Sequence, residues 1–155
     1  MYCQLDQVKD VLDIAQAVRN ALLREQPHNP KLLGCQRQAC SVILGLLLWK
    51  EYDAFGQVGV IKQDGKEHRH HWVEVYLEGE AFVLDVTLSQ WSEAVPEVVF
   101  LLKEEAAEEY GYGPSEDSDW QPQDAEESLW ESVLQQLQIH QPVDEVLTEI
   151  AELVL

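Results

Sequence analysis

His70-His71-Trp72-Val73-Glu74-Val75 and, a short turn later, Phe82-Val83-Leu84-Asp85-Val86-Thr87 decide the fold of this chain. Both runs alternate, and between them lies Glu78-Gly79, where glycine supplies the positive φ that a two-residue hairpin loop needs. With such a loop, Leu77 pairs with Glu80, Trp72 faces Asp85 and His70 faces Thr87. Side chains alternate between the two faces of a strand. His70, Trp72, Asp85 and Thr87 therefore share one face, with His70 and Asp85 as diagonal neighbours within reach. The other face carries His71, Val73, Val75 and Leu77 with Phe82, Leu84 and Val86, and reads as a core face. An imidazole beside a carboxylate is two-thirds of a nucleophilic triad. Strand parity selects His70 over His71, and a one-residue slip in register would reverse that choice.

The third member is sought upstream. Residues 35–50 predict a helix that is apolar nearly all round, with Ala39, Val42, Ile43, Leu46 and Leu47 on one face and Cys40, Leu44 and Leu48 on another. Such a helix is buried and central. Cys35 falls in its first turn, where free N–H groups and the positive end of the dipole favour a thiolate, so a lowered thiol pKa is expected. Cys40 lies deeper in the apolar pattern and reads as a structural thiol.

The remaining segments follow from periodicity and breakers. Leu5, Val8, Leu12, Ala15, Val18 and Leu22 predict a helix over 5–25, ended by Pro27 and Pro30. Residues 57–62 and 96–102 read as strands, with Asp64-Gly65-Lys66 as a turn and His28 and His68 in loops. Gly113 to Asp119 reads as an exposed acidic loop. Two amphipathic helices follow over about 124–140 and 143–154, with Pro142 at the start of the second. The expected organisation is a core over 1–103 and, packed on it as part of one domain, an acidic loop with two short helices over 104–155.

The net charge of −19 is unevenly spread. Residues 1–103 hold all ten Lys and Arg against 14 acids, whereas residues 104–155 hold 15 acids and neither Lys nor Arg. Direct binding to nucleic acid is not expected, because phosphate contacts need cations. The acidic third reads as a solvated surface, or as a contact face for a basic partner. No apolar run reaches membrane-spanning length and no signal peptide is visible, and three cysteines do not make a disulfide framework. A cytoplasmic protein with reduced thiols is expected. Cys35, Cys40, His68 and His70 match no compact zinc spacing, so neither metal nor cofactor is expected.

The order Cys35, His70, Asp85 resembles the transglutaminase-like branch of the papain-like cysteine enzymes. Leu33-Gly34-Cys35, followed by Ala39 and the leucine-rich helix, looks like the family's Gly-x-Cys helix. His70-His71-Trp72-Val73-Glu74-Val75 looks like its His-x-Trp-Val-Glu-Val strand, and Leu84-Asp85-Val86-Thr87 like its Leu-Asp-Pro-Thr, with Val86 in place of proline. The resemblance covers about residues 30–90. It implies an α+β core in which a buried Cys-bearing helix packs on an antiparallel sheet. It also implies a cysteine-dependent enzyme acting on amide bonds of a protein or peptide through a thioester, as peptidase, deamidase or transglutaminase. In that scheme Cys35 is the nucleophile, His70 the general base and Asp85 its orienting carboxylate. The backbone N–H of Cys35 is an oxyanion donor, and Asn29 and Trp72 are substrate-side residues. The alternative is a catalytically idle member whose acidic region contacts a basic partner.

Overall fold

The computed structural model describes residues 2–154, with side chains from residue 5 onward. The chain folds as α+β: α1 (Tyr2–Glu25), α2 (Gln36–Trp49), β1 (Asp53–Gln63), β2 (Lys66–Leu77), β3 (Glu80–Asp85), β4 (Val99–Leu102), α3 (Lys103–Tyr110), β5 (Gly113–Ser118), α4 (Glu127–Gln136) and α5 (Val143–Val154). All strand pairs are antiparallel, in the order β4-β3-β2-β1-β5.

The β2–β3 hairpin has the register expected from its alternation, from Leu77 opposite Glu80 to Val73 opposite Leu84. Its turn places both Glu78 (φ 51°) and Gly79 (φ 83°) in the left-handed region, the twist that matches two antiparallel strands. Asp64 and Gly65 close the β1–β2 hairpin in the same way.

Parity divides the sheet into two faces. Val73, Val75, Leu77, Leu84 and Val86 join the main core, which α1, α2, α4 and α5 cover. Trp72, Val83 and Ile61 join a smaller core on the other side, with Leu88, Val99, Ala106 and Tyr112. α2 is buried along almost its whole length, from Ala39 to Leu47, as a helix apolar on every side requires.

Several sequence expectations change: Lys103–Tyr110 forms helix α3 where an acidic loop was expected, and α4 spans Glu127–Gln136 rather than about 124–140. β1 runs from Asp53 to Gln63, longer than the alternation over 57–62 implied, and β4 is shorter than 96–102. His68 lies within β2, not in a loop. Gly113–Ser118 is an edge strand on β1 where a loop was expected. An edge strand with both faces wet needs no apolar alternation. This one is held by its ladder and by two buried aromatics at its ends, Tyr112 and Trp120. The acids Glu104, Glu105, Glu108 and Glu109 turn outward from α3, whose Ala106 is buried.

Gly59 marks where β1, β5 and the smaller core meet. A Cβ there would stand 2.2 Å from the Gly113 carbonyl oxygen and 2.9 Å from the Trp72 ring. Gly59→Ala is therefore expected to lose about 1–3 kcal/mol of stability, as overpacking does. Chemical denaturation of the variant checks this, and a wild-type midpoint would show that β5 yields freely.

Candidate active site

His70 and Asp85 meet. The His70 Nε2 lies 2.7 Å from Asp85 Oδ2, and both side chains are buried, at 0% and 3% exposure. They point into the smaller core, as parity requires. Asp85 is held from all sides: Oδ1 accepts from the Thr87 N–H at 2.9 Å and the Thr87 hydroxyl at 3.2 Å, and Oδ2 also accepts from the Tyr112 hydroxyl at 2.7 Å. Burial alone would push the Asp85 carboxyl up. His70, the Thr87 N–H and Tyr112 outweigh it and hold the carboxyl below its ordinary value. Burial, followed by the Asp85 charge, raises the Tyr112 phenol well above its ordinary value, so it remains a donor.

The second ring nitrogen is also engaged. The Trp91 indole Nε1 lies 3.2 Å from His70 Nδ1. An indole N–H can only donate, so Nδ1 is the acceptor and carries no proton. The proton is therefore on Nε2, donated to Asp85. Trp91 also stacks on His68, with ring centroids 4.1 Å apart and planes inclined by 13°.

Cys35 is the N-terminal cap of α2, and its side chain is 2% exposed. Its sulfur lies 3.4 Å from Gln26 Oε1 and 3.8 Å from the Leu33 carbonyl, and it accepts from Asn29 Nδ2 at 3.6 Å. None of these partners belongs to the His70–Asp85 pair. The thiol is not lowered as its position at the helix start suggested. Burial pushes it up, the Gln26 hydrogen bond only partly offsets this, and Glu126 adds to the rise. The Cys35 backbone N–H, expected as an oxyanion donor, donates instead to the Leu32 carbonyl at 3.1 Å. Asn29 does stand beside the sulfur. Its Nδ2 also reaches Gln26 and the Leu33 carbonyl, and its Oδ1 accepts from the Leu33 N–H.

The reason for the separation lies in the sheet. α2 packs on the face that carries Val73 and Val75, while His70 and Asp85 occupy the opposite one. The thiol therefore does not face the hairpin wall across a layer, as the sequence suggested. The two sites are joined around the end of α2 by a strap running from Val86 to Glu97. Gln90, on a single 3-10 turn over Leu88–Gln90, accepts from the Gly34 N–H and donates to Gln36 Oε1, each at 3.1 Å. It thereby holds both neighbours of Cys35. The next residue, Trp91, holds His70. Arg19 of α1 pins the base of the strap, donating to the Val86 carbonyl at 2.6 Å, the Ser89 hydroxyl at 3.1 Å and the Glu97 carbonyl at 3.3 Å.

Trp72 is a back wall with no open surface: it is 2% exposed and packs edge-on against Tyr112 at 5.0 Å. Cys40 fits its structural reading. Its thiol donates to the Trp72 carbonyl at 3.3 Å, and burial, with a smaller effect of Asp85, pushes it up to about 12. His71 lies on the α2 side, where it lines a cavity of about 210 Å³ with Arg37, Cys40 and Asp124. Burial lowers its pKa, assisted by His70 and Arg37. Cys35 and Cys40 are both free thiols, and the Cys3 side chain lies outside the described residues. Sequence reasoning missed Gln90, Trp91, Arg19 and Tyr112. Tyr112 had a faint signal, as an aromatic between Gly111 and Gly113, two residues after Tyr110, in a polar stretch.

No protein-family model, curated protein or solved structure matches the chain. The transglutaminase-like resemblance rests on the hairpin and the Cys35 segment alone. Among the described residues, no helix is long and apolar enough to cross a membrane.

Proposed function

We propose that this chain is a cysteine-dependent enzyme with a transglutaminase-like core, acting on an amide of a protein or peptide through a thioester on Cys35, and that the arrangement described above is its closed state. The observation that carries this reading is the dipeptide Gln90-Trp91, which grips the residues on either side of Cys35 and the free nitrogen of His70. Nucleophile and base are thus one short segment apart, and the base already has its orienting carboxylate. When Nδ1 is open, it takes the Cys35 proton, and the thiolate attacks the amide carbonyl carbon. The imidazolium returns that proton to the departing amine, and a thioester remains. Water or a second amine then releases it. Asp85 keeps the Nε2 proton in place throughout. Asn29 Nδ2, beside the sulfur, is the donor available to the developing oxyanion. A reducing, cytoplasmic setting suits the free thiols.

The expected signature is a pH profile. Cys35 alkylation by iodoacetamide, followed by peptide mass spectrometry, should show a reactive limb near neutral pH. His70→Ala should remove that limb and slow the reaction at pH 7 by at least about tenfold. A rate that rises only in the alkaline range and ignores His70→Ala would overturn the reading.

A second reading has its own support. Both His70 nitrogens are taken and burial raises the Cys35 thiol, as in an idle member of the family. Glu104, Glu105, Glu108 and Glu109 present an acidic helix face, and none of them has a cationic partner among the described residues. On that reading the acidic third contacts a basic partner. An indifferent Cys35 would favour it.

A further inference from the structure

We infer that Trp91 is a proton-released latch on His70. The inference rests on the thioester reading for its consequence at Cys35, but not for its geometry.

The Trp91–His70 bond exists only while Nδ1 is an acceptor. Nε2 is committed to Asp85, which is buried and held by Thr87 and Tyr112, so the ring cannot exchange its tautomer without stranding the carboxylate. Any proton gained by His70 must therefore appear on Nδ1. There it would point at the indole N–H, donor against donor, at a separation of 3.2 Å. Of the two rings, only Trp91 can leave: His70 is fully buried, whereas Trp91 is half-buried on the strap.

The strap bridges two strand ends. Arg19 ties its two ends, at Val86 and Glu97, to one guanidinium. Between them it is held by Gln90, by the Trp91–His68 stack and by an ion pair between Glu93 and Lys31 at 3.4 Å, both exposed. Swinging Trp91 outward breaks no strand pairing, because β3 ends at Asp85 and β4 begins at Val99. It uncovers Nδ1.

The proton comes from solvent as the pH falls: an N–H bond forms at Nδ1, and Trp91 keeps its own proton and turns away. Charged and titratable groups face the ring from several elements. Asp85 of β3 is the carboxylate in contact, with Tyr112 behind it. His68 lies beyond Trp91, and His71 is on the opposite face of β2. Arg19 of α1 and Cys40 of α2 approach Asp85, and Tyr110 approaches Tyr112. Glu74, paired with Lys103, stands further along the same face.

Two measurements test the latch. In the unaltered chain, the Trp91 indole N–H, followed by NMR, should be protected from solvent exchange in alkali and lose that protection on acidification, before the chain unfolds. Protection that does not change with pH overturns the latch, whatever Cys35 does. Trp91→Phe removes the donor and keeps the ring. It should speed Cys35 alkylation at pH 7 by roughly five- to tenfold, the loss of one ordinary hydrogen bond. If protection responds to pH while Trp91→Phe leaves Cys35 unchanged, the latch on His70 stands and the thioester reading falls.

Discussion

Asp85→Ala should be among the most damaging single substitutions in this chain, with an expected loss of about 3–5 kcal/mol of folding stability. The side chain is 3% exposed and accepts four hydrogen bonds. Truncation leaves the His70 Nε2–H, the Tyr112 hydroxyl and two Thr87 donors without an acceptor in a region that water does not reach, and buried unsatisfied donors are costly. Asp85→Asn should cost less, because the amide oxygen still accepts. The pH dependence has a definite sign. The folded carboxyl sits below its ordinary value. Its contribution is therefore complete above the unfolded carboxylate range and is lost as pH falls through the folded value. The contribution of the carboxyl's own titration to the stability gap between the unaltered chain and Asp85→Asn should shrink as pH falls below about 5. Urea midpoints across that range measure the gap. A gap that widens in acid would mean that the carboxyl is raised, with burial winning over its donors.

Trp130→Ala is expected to be as severe, losing about 3–5 kcal/mol. Trp130 lies on α4, in the acidic third, and is fully buried. Its ring lies so close to Gly45 of α2 that a Cβ there would stand 2.8 Å from it. Leu129, Val133 and Leu134 of α4 and Val146 and Ile150 of α5 belong to the same core as α1 and α2. The acidic third is thus part of the fold. It supplies β5 to the sheet, Trp130 to the main core and the Tyr112 hydroxyl to Asp85. A chain cut after Lys103 should be insoluble, with the flank of α2 bare. Thermal unfolding of Trp130→Ala checks the prediction, and a near-wild-type Tm would show that the C-terminal helices are only loosely applied.

The hairpin could be read from its residues because alternation and turn chemistry act locally. Glu78-Gly79 sets the register, the register sets parity, and parity brings His70 to Asp85 while sending His71 to the other face. α2 was legible for a similar reason, since only a buried helix can be apolar on every side. The relation of Cys35 to His70 was not legible. It depends on how the strap from Val86 to Glu97 threads between two faces of the sheet, and no periodicity encodes that path. The thiol electrostatics failed with it. The dipole at a helix start favours a thiolate, but Cys35 is sealed under Gln26 and Asn29, and desolvation wins. β5 escaped because an edge strand made of Gly, Pro, Ser, Glu and Asp carries no apolar signal. Tyr112 escaped because its partner, Asp85, is distant in sequence.

These residues make one testable unit. Asp85 fixes the histidine, Trp91 blocks it, and Gln90 keeps the Cys35 loop alongside. The most direct measurement is a crystal structure of Trp91→Phe. The account predicts that the Cys35 sulfur leaves Gln26 and comes within hydrogen-bonding distance of His70 Nδ1, with the His70–Asp85 bond unchanged. A structure in which Nδ1 is free of the indole and the sulfur still rests on Gln26 and Asn29 would contradict it.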